Sequence, residues 1–346
     1  MKSNMMEENK KTDGVEVSGK KPQKPIDKKK AEPVPPSSED EAKPSEVKKV
    51  EIKEILDGLI AAFGDANTEV GRRECPKIIS QYFKDKYSEH KIFKKYNILI
   101  LFDENSLVKG DSDKIYNAVT GFKERKPILL VLYSRGGSAA SAYLIGKLCR
   151  EYAKDEFHVA VPRFAKSAAT MICCAANNIH MGSLSELGPI DPQINGLPAL
   201  GLKNSVEHIA DLVKIHPESS SMFAEYLNKS LSLINLGYYE RVAESAQQYA
   251  EKLLHTHVDN LERAEKEIAQ ELVYKYKDHG FVIDRAEAEI IFGKNIIKSN
   301  SDEYSFSNQV YNDLNMISSF SNWLKRSPYY IGSFDTDISF LEINDK

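Results

Sequence analysis

Apolar residues in this chain fall into short runs that alternate with stretches of helical spacing. Four apolar runs of strand length lie at 96–102, 127–133, 157–161 and 178–181. Helical spacing separates them and predicts helices at 113–122 and 139–152, with a further helix that begins at Ser167. Strands that are apolar along their whole length and alternate with helices are typical of a mostly parallel sheet covered on both faces. We therefore expect an α/β core over residues 49–200.

The segments on either side of this core have different patterns. Residues 1–48 are rich in Lys, Glu, Pro and Ser and poor in aromatic and branched apolar residues. Such a segment cannot bury enough apolar surface to offset the entropy of the chain, so we expect a disordered charged tail. Beyond the core, 204–269 has a helical pattern almost throughout. We expect residues 201–346 to form a helical extension that ends in a small mixed segment.

Composition and charge narrow the class of protein. The net charge of −4 and a pI near 6.1 offer no attraction to nucleic acid. No apolar stretch approaches the roughly 20 residues that span a bilayer, and 1–49 contains no apolar core of a signal peptide. We expect a cytoplasmic chain without a transmembrane segment, although this pattern also fits peripheral association with a membrane. The four cysteines lack metal-ligand spacing, so we expect reduced thiols and no bound metal.

Three segments that follow predicted strands contain candidate functional residues. Gly136 and Gly137 come after the second strand, where a glycine pair either exposes backbone N–H groups to a bound group or simply makes a tight turn. Ser167 follows the third strand among small residues that would admit a substrate carbonyl, at the start of a helix that favours negative charge. A serine there can equally be the N-cap of the helix. The loop 182–194 is rich in turn formers and by itself indicates a rigid connection.

The order and spacing of these segments resemble the serine dehydrogenase proteinase family. The resemblance rests on SRGGS at 134–138, KSAAT at 166–170 and SELGPIDPQI at 185–194, and it covers roughly 95–290. The family is similar to signal peptide peptidase A and, more distantly, to the proteolytic subunit of Clp protease. The resemblance implies a Clp protease/crotonase-like spiral fold and serine endopeptidase activity on peptides or proteins. It also implies that the chain forms a homo-oligomer, and it implies no cofactor.

The same resemblance assigns roles to residues of this sequence. Ser167 matches the nucleophile of the family. The backbone N–H groups of Ala168 and Gly137 would form the oxyanion hole that stabilises a tetrahedral intermediate. Ala169 stands where relatives are expected to have glycine, and its methyl group would make the site tighter.

The sequence leaves open which residue activates Ser167. The Clp-type subunit has a histidine on the strand and loop that follow its serine. A similar interval counted from Ser167 reaches Asp191 and Pro192, and no histidine occurs there. His180 lies inside a strand-like stretch, which favours a buried or edge position. His279 is far along the chain, in a DHG segment that favours a turn or a packing role.

A lysine is the alternative base. The likeness to signal peptide peptidase A implies a Ser-Lys dyad, in which burial lowers the pKa of a lysine enough for it to accept a proton. The preferred candidate is Lys214, with Lys229 as the alternative and Lys203 as a third. Either Lys214 or Lys229 would otherwise be a surface residue of an amphipathic helix. Lys166 should point away from its neighbour Ser167.

Three functions therefore compete. A serine peptidase with a Ser-Lys dyad is the preferred hypothesis. A crotonase-type acyl-coenzyme A enzyme uses the same fold and a backbone oxyanion hole, but such enzymes usually need glutamates where this chain has Ser167. A non-catalytic oligomeric scaffold of the same fold is the third, because the sequence does not identify a base.

Overall fold

The computed structural model describes residues 52–194, 197–230 and 233–343. Inside these ranges only the backbone is described for residues 194, 197–200, 202, 203, 230, 233–236 and 239. The charged tail predicted for residues 1–48 lies outside the described residues. From residue 52 onward the described chain forms one compact unit.

Helices and strands alternate through the first half of this unit. The strands are β1 (Asn97–Asp103), β2 (Ile128–Ser134), β3 (Phe157–Val161), β4 (Phe164–Ala165), β5 (Asn178–Met181), β6 (Glu186–Leu187), β7 (Gln193–Ile194), β8 (Leu197–Pro198), β9 (Ile297–Lys298), β10 (Arg326–Ser333) and β11 (Ser339–Glu342). The helices are α1 (Ile52–Phe63), α2 (Glu69–Tyr87), α3 (Ile92–Lys95), α4 (Lys109–Thr120), α5 (Ala139–Tyr152), α6 (Ala168–Cys173), α7 (Ala199–Ile215), α8 (Ser220–Ser230), α9 (Leu233–Leu254), α10 (Glu265–Tyr274), α11 (Arg285–Phe292) and α12 (Asp302–Trp323). Short 3₁₀ turns occupy Pro217–Ser219 and His255–Asn260.

The main sheet is mostly parallel. Its strands run in the order β11-β10-β1-β2-β3-β5-β9, and all neighbours from β1 to β9 pair in parallel. Strand β10 adds antiparallel to β1, and β11 adds antiparallel to β10. Strands β9 and β10 lie beyond the helical stretch at 204–269, so the last part of the chain completes the sheet at both sides of β1–β5.

Alternate residues of the central strands pack on opposite faces of the sheet. In β1, Leu99 and Leu101 join a core that contains α4, α5, α6 and α9–α11, whereas Ile98 and Ile100 join a core that contains α1, α2 and α12. Every residue of β2 is buried. Because side chains alternate across a strand, a strand that is apolar at every position requires cover on both faces. The predicted α/β architecture is confirmed.

Two small strands connect this sheet to the predicted nucleophile. Ala165 of β4 pairs with Ser134 at the end of β2, and β6 pairs in parallel with β4. The residues that follow β2 and β4 therefore lie side by side at one edge. Within the described ranges, no helix has both the length and the apolar character that crossing a bilayer requires.

Candidate active site

Ser167 occupies a strained turn between β4 and α6. Its φ of 53° and ψ of −121° lie in a region that residues other than glycine rarely adopt. The side chain is half-buried, and its hydroxyl makes no N-cap hydrogen bond to α6. The capping role that the sequence allowed is therefore not what this hydroxyl does. A strained residue whose hydroxyl does not cap the helix that follows it is typical of a functional position.

Gly136 and Gly137 form a turn that packs directly on Ser167. Both have positive φ, 94° and 142°. A Cβ atom on Gly136 would lie 2.5 Å from the Lys166 carbonyl oxygen and 2.9 Å from Ser167 Cβ, and one on Gly137 would collide with the backbone nitrogen of Leu107. Both positions therefore require glycine because of the close approach as well as the backbone conformation.

Two backbone N–H groups beside Ser167 are without acceptors. The Gly136 N–H donates to Ser134 Oγ at 3.1 Å. In the part of the chain that the structure describes, by contrast, neither the Gly137 N–H nor the Ala168 N–H has a hydrogen-bond acceptor. Unpaired N–H groups at a surface cavity are available to bind an oxygen atom of a ligand.

A cavity of about 460 Å³ contains this turn. The residues that line it include Ser167, Ala168, Gly136, Gly137, Ile190, Val242, Ala246 and His279. Ile190 and Ala246 are almost fully buried and contribute to an apolar wall. The structure thus brings together the predicted nucleophile, both residues predicted to form the oxyanion hole, and a histidine.

His279 stands next to a buried carboxylate. Its Nδ1 lies 3.7 Å from Asp191 Oδ2, which also accepts a hydrogen bond of 3.1 Å from Gln193 Nε2. Asp191 is 4% exposed. Among the described residues, His279 Nδ1 and Asp191 Oδ1 are both buried without a hydrogen-bond partner. Since a buried polar atom that lacks a partner is costly, a small closure that joins this pair would be favourable.

The family assignment follows from a comparison of the sequence with models of known families. The model described as ClpP-like SDH-type serine proteinase matches residues 105–282, just over half of the chain. The chain belongs to this family. The matched range contains Ser167, Asp191 and His279, and the family is one of serine proteinases.

Two curated proteins of Methanocaldococcus jannaschii are similar to parts of this family member. The uncharacterized protein MJ0137 is 36% identical over 97 residues, which are 28% of this chain and 34% of that protein. The uncharacterized protein MJ1495 is 27% identical over 148 residues, which are 41% of this chain and 49% of that protein. The chain therefore spans about a third of the length of MJ0137 and about half of the length of MJ1495.

Two solved structures are also similar. One is an alanine-substituted form of the 1510-N membrane-bound stomatin-specific protease, with a TM-score of 0.38, 12% identity, and coverage of 72% of this chain and 95% of that chain. The other is a different alanine-substituted form in complex with a substrate peptide, with a TM-score of 0.38, 13% identity, and coverage of 72% and 89%.

The structure does not bring Lys214 or Lys229 to the cavity. Lys214 is 76% exposed and forms an ion pair of 2.8 Å with Asp211, whose carboxylate raises the pKa of Lys214. Lys229 is 72% exposed and pairs with Glu225 at 2.7 Å. Each amine is held by an acidic partner on its own exposed helix, which is the opposite of the burial that a lysine base requires. The side chain of Lys203 lies outside the described residues. The Ser-Lys dyad stays a prediction.

The sequence favoured a turn or packing position for His279 and did not indicate that it lies beside Asp191. One signal was available, since Asp191 stands at the interval after Ser167 where a Clp-type subunit has its histidine. The pairing of His279 with Asp191 depends on Leu187 and Ile283, which exchange backbone hydrogen bonds of 2.8 and 3.1 Å. That contact between distant segments leaves no periodic pattern in the sequence.

Proposed function

We propose that this chain is a serine endopeptidase whose nucleophile is Ser167 and whose general base is His279. One observation supports this proposal above the others: a strained, uncapped serine shares a cavity with two unpaired backbone N–H groups and an imidazole. These are the parts that acyl transfer through a serine needs. The substrates would be peptides or proteins. The chain would form a homo-oligomer, as the resemblance to the family implies.

The reaction would use each group in turn. Ser167 Oγ attacks the peptide carbonyl carbon while His279 accepts the hydroxyl proton. The N–H groups of Gly137 and Ala168 bind the oxyanion that forms. Asp191 holds the ring with Nδ1 protonated and stabilises the imidazolium. His279 then donates the proton to the leaving amine, and a water molecule, activated by the same ring, hydrolyses the acyl-enzyme.

The histidine fits this cavity better than the lysines do. The His279–Asp191 separation of 3.7 Å is somewhat longer than a hydrogen bond, and catalytic hydrogen bonds are often long before substrate binds. For Lys214 to act, its helix would have to move onto the cavity, or another copy would have to supply the amine. Among the described residues that line the cavity there is no glutamate, so the geometry does not favour an acyl-coenzyme A enzyme.

Labelling with a fluorophosphonate probe, together with hydrolysis of unstructured peptides, tests the proposal. We expect Ser167→Ala to abolish labelling, and Ser319→Ala, an exposed serine on α12, to leave it unchanged. We expect His279→Gln to slow labelling by roughly 10²-fold or more, in the range known for general bases. His216→Gln, at an exposed histidine, is the matched control.

The lysine variants distinguish the two mechanisms. If His279 is the base, Lys214→Met and Lys229→Met retain labelling. Loss of labelling in either lysine variant together with full labelling of His279→Gln would establish the dyad instead. Equal labelling of Ser167→Ala and the unsubstituted chain would refute the peptidase proposal altogether.

A further inference from the structure

Lys166, directly before Ser167, is fixed in an unusual manner for a lysine. Its Nζ lies 3.1 Å from Glu186 Oε2 and donates to the carbonyl oxygens of Leu187 at 3.2 Å and Phe281 at 3.4 Å. The side chain is only 17% exposed. Its stem packs closely on Gly188, where a Cβ atom would lie 2.6 Å from Lys166 Cδ. An ammonium group has three donor hydrogens, and here three acceptors surround it.

Those acceptors belong to the two segments that carry the histidine and its carboxylate. Glu186 and Leu187 form β6, shortly before Asp191, and Phe281 follows closely after His279. The backbone of Lys166 also links the other half of the cavity. Its N–H donates to the Ser134 carbonyl oxygen at 3.0 Å, just before the glycine turn. One residue therefore contacts the strand before the glycine turn, the segment before Asp191 and the segment after His279.

The segment that carries His279 is held by its own turn at Asp278, by the contact of 4.7 Å between the rings of Tyr276 and Phe281, and by a small number of contacts to β6. Between Tyr276 and Ile283 no residue is buried, and Phe281 and Val282 are 43% and 53% exposed. The described contacts that attach this segment to β6 are the Leu187–Ile283 backbone pair and the ammonium group of Lys166. A base must lie within hydrogen-bond reach of the nucleophile, and a displacement of about 1 Å can cost a factor of about 100 in rate.

We propose that Lys166 is a positioning residue that holds the His279–Asp191 pair against Ser167. The proposal rests on the proposed function, because it assigns Lys166 to the same site. It differs from a purely structural ion pair, which would change stability and leave the chemistry of the folded protein unaltered. Lys166 does not touch the substrate in this scheme, and it acts through the placement of the imidazole.

The test compares Lys166→Met, which keeps the apolar stem and removes the charge, with Lys166→Arg and with the unsubstituted chain. We expect Lys166→Met to lower kcat for a peptide by about 10- to 100-fold while KM changes less than about twofold. Its pH–rate profile should shift, because the environment of His279 changes. Lys166→Arg should recover most of the activity, since a guanidinium can donate to the same acceptors. Lys147→Met, at an exposed position of α5, is the matched control.

Hydrogen exchange supplies a measurement that does not depend on activity. Backbone amides at 278–283 should exchange faster in Lys166→Met and normally in Lys147→Met. Glu186→Gln keeps the lysine but removes its ion pair, and it should show a smaller effect of the same kind. Unchanged exchange and an unchanged pH–rate profile in Lys166→Met would overturn the proposal. A failure of Ser167 to label in the unsubstituted chain would instead refute the proposed function, and the exchange data would still decide whether Lys166 holds this segment.

Discussion

Acidification from pH 7 to pH 5 should destabilise the protein through two buried histidines on adjacent strands. His158 of β3 and His180 of β5 are 5% and 3% exposed, and His158 Nδ1 lies 3.0 Å from His180 Nε2. His158 Nε2 lies 2.9 Å from Glu156 Oε2, and His180 Nδ1 lies 2.8 Å from Ser301 Oγ. These partners define the direction of each hydrogen bond. Ser301 Oγ donates to His180 Nδ1, His180 Nε2 donates to His158 Nδ1, and His158 Nε2 donates to Glu156 Oε2. Every ring nitrogen is satisfied while both rings are neutral.

The magnitude follows from the pKa of His180. Burial lowers the pKa of His180 from 6.5 to about 3, although Glu303 acts in the opposite direction. Below pH 6.5 the unfolded chain binds a proton at His180 that the folded chain does not. The contribution of neutral His180 to the free energy of unfolding is therefore fully present above pH 6.5 and is lost as the pH falls toward 3. Each pH unit corresponds to about 1.4 kcal/mol, so the loss between pH 6.5 and pH 5 is about 2 kcal/mol at His180 alone.

Two neighbouring groups also affect the pH dependence of stability, His158 in the same pH range and Glu303 at lower pH. Burial also lowers the pKa of His158, which adds to the loss in the same range. Burial alone would raise the pKa of Glu303, but hydrogen bonds from Lys95 and Tyr96 lower it from 4.5 to about 2. The stability due to Glu303 is therefore present above pH 4.5 and is lost only as the pH falls below it. Between pH 7 and pH 5 the histidines dominate.

Chemical denaturation monitored by circular dichroism at pH 7, 6 and 5 measures this effect. The free energy of unfolding should fall by about 2 kcal/mol or more over this range. In His180→Gln the fall should be smaller by about 2 kcal/mol, because the titrating ring is absent. His216→Gln, at an exposed histidine, should show the full fall. The reasoning is wrong if His180→Gln and the unsubstituted chain lose the same free energy between pH 7 and pH 5.

Two further substitutions test the glycine turn and the core. Gly136→Ala should lower the free energy of unfolding by about 1–3 kcal/mol through backbone strain, and it should also reduce probe labelling of Ser167. Gly110→Ala, at a position with open space for a Cβ atom, should have neither effect. Normal labelling and stability of Gly136→Ala would contradict the described turn. Phe306→Ala should lower the free energy of unfolding by about 3–5 kcal/mol in denaturation experiments, because its ring is fully buried. Trp323→Ala, at a 74% exposed residue, should change the free energy of unfolding by less than about 0.5 kcal/mol. Equal losses in Phe306→Ala and Trp323→Ala would contradict the buried position of Phe306.

The local elements of the fold were predictable from the sequence. Strands β3 and β5 coincide with the apolar runs at 157–161 and 178–181, and α5 coincides with the helix predicted at 139–152. Helix α4 begins at Lys109, earlier than the predicted residue 113, because the Asp111 carboxylate accepts the Val108 N–H and supports an earlier first turn. Apolar periodicity does not reveal such a contact.

The candidate site was predictable only in part, and the division has a physical cause. The glycine turn and Ser167 are features of single segments, where backbone conformation and side-chain size within a few residues decide what forms. His279 lies beside Asp191 where β6 bonds to the chain around Ile283. Lys214 does not line the cavity and is instead exposed and paired with Asp211 on its own helix. The sequence by itself therefore determined the central strands, the glycine turn and the place of Ser167 after β4, which depend on neighbours in the chain. The tertiary structure decided which polar side chains lie beside Ser167, because contacts between distant segments arise from packing and leave no local pattern.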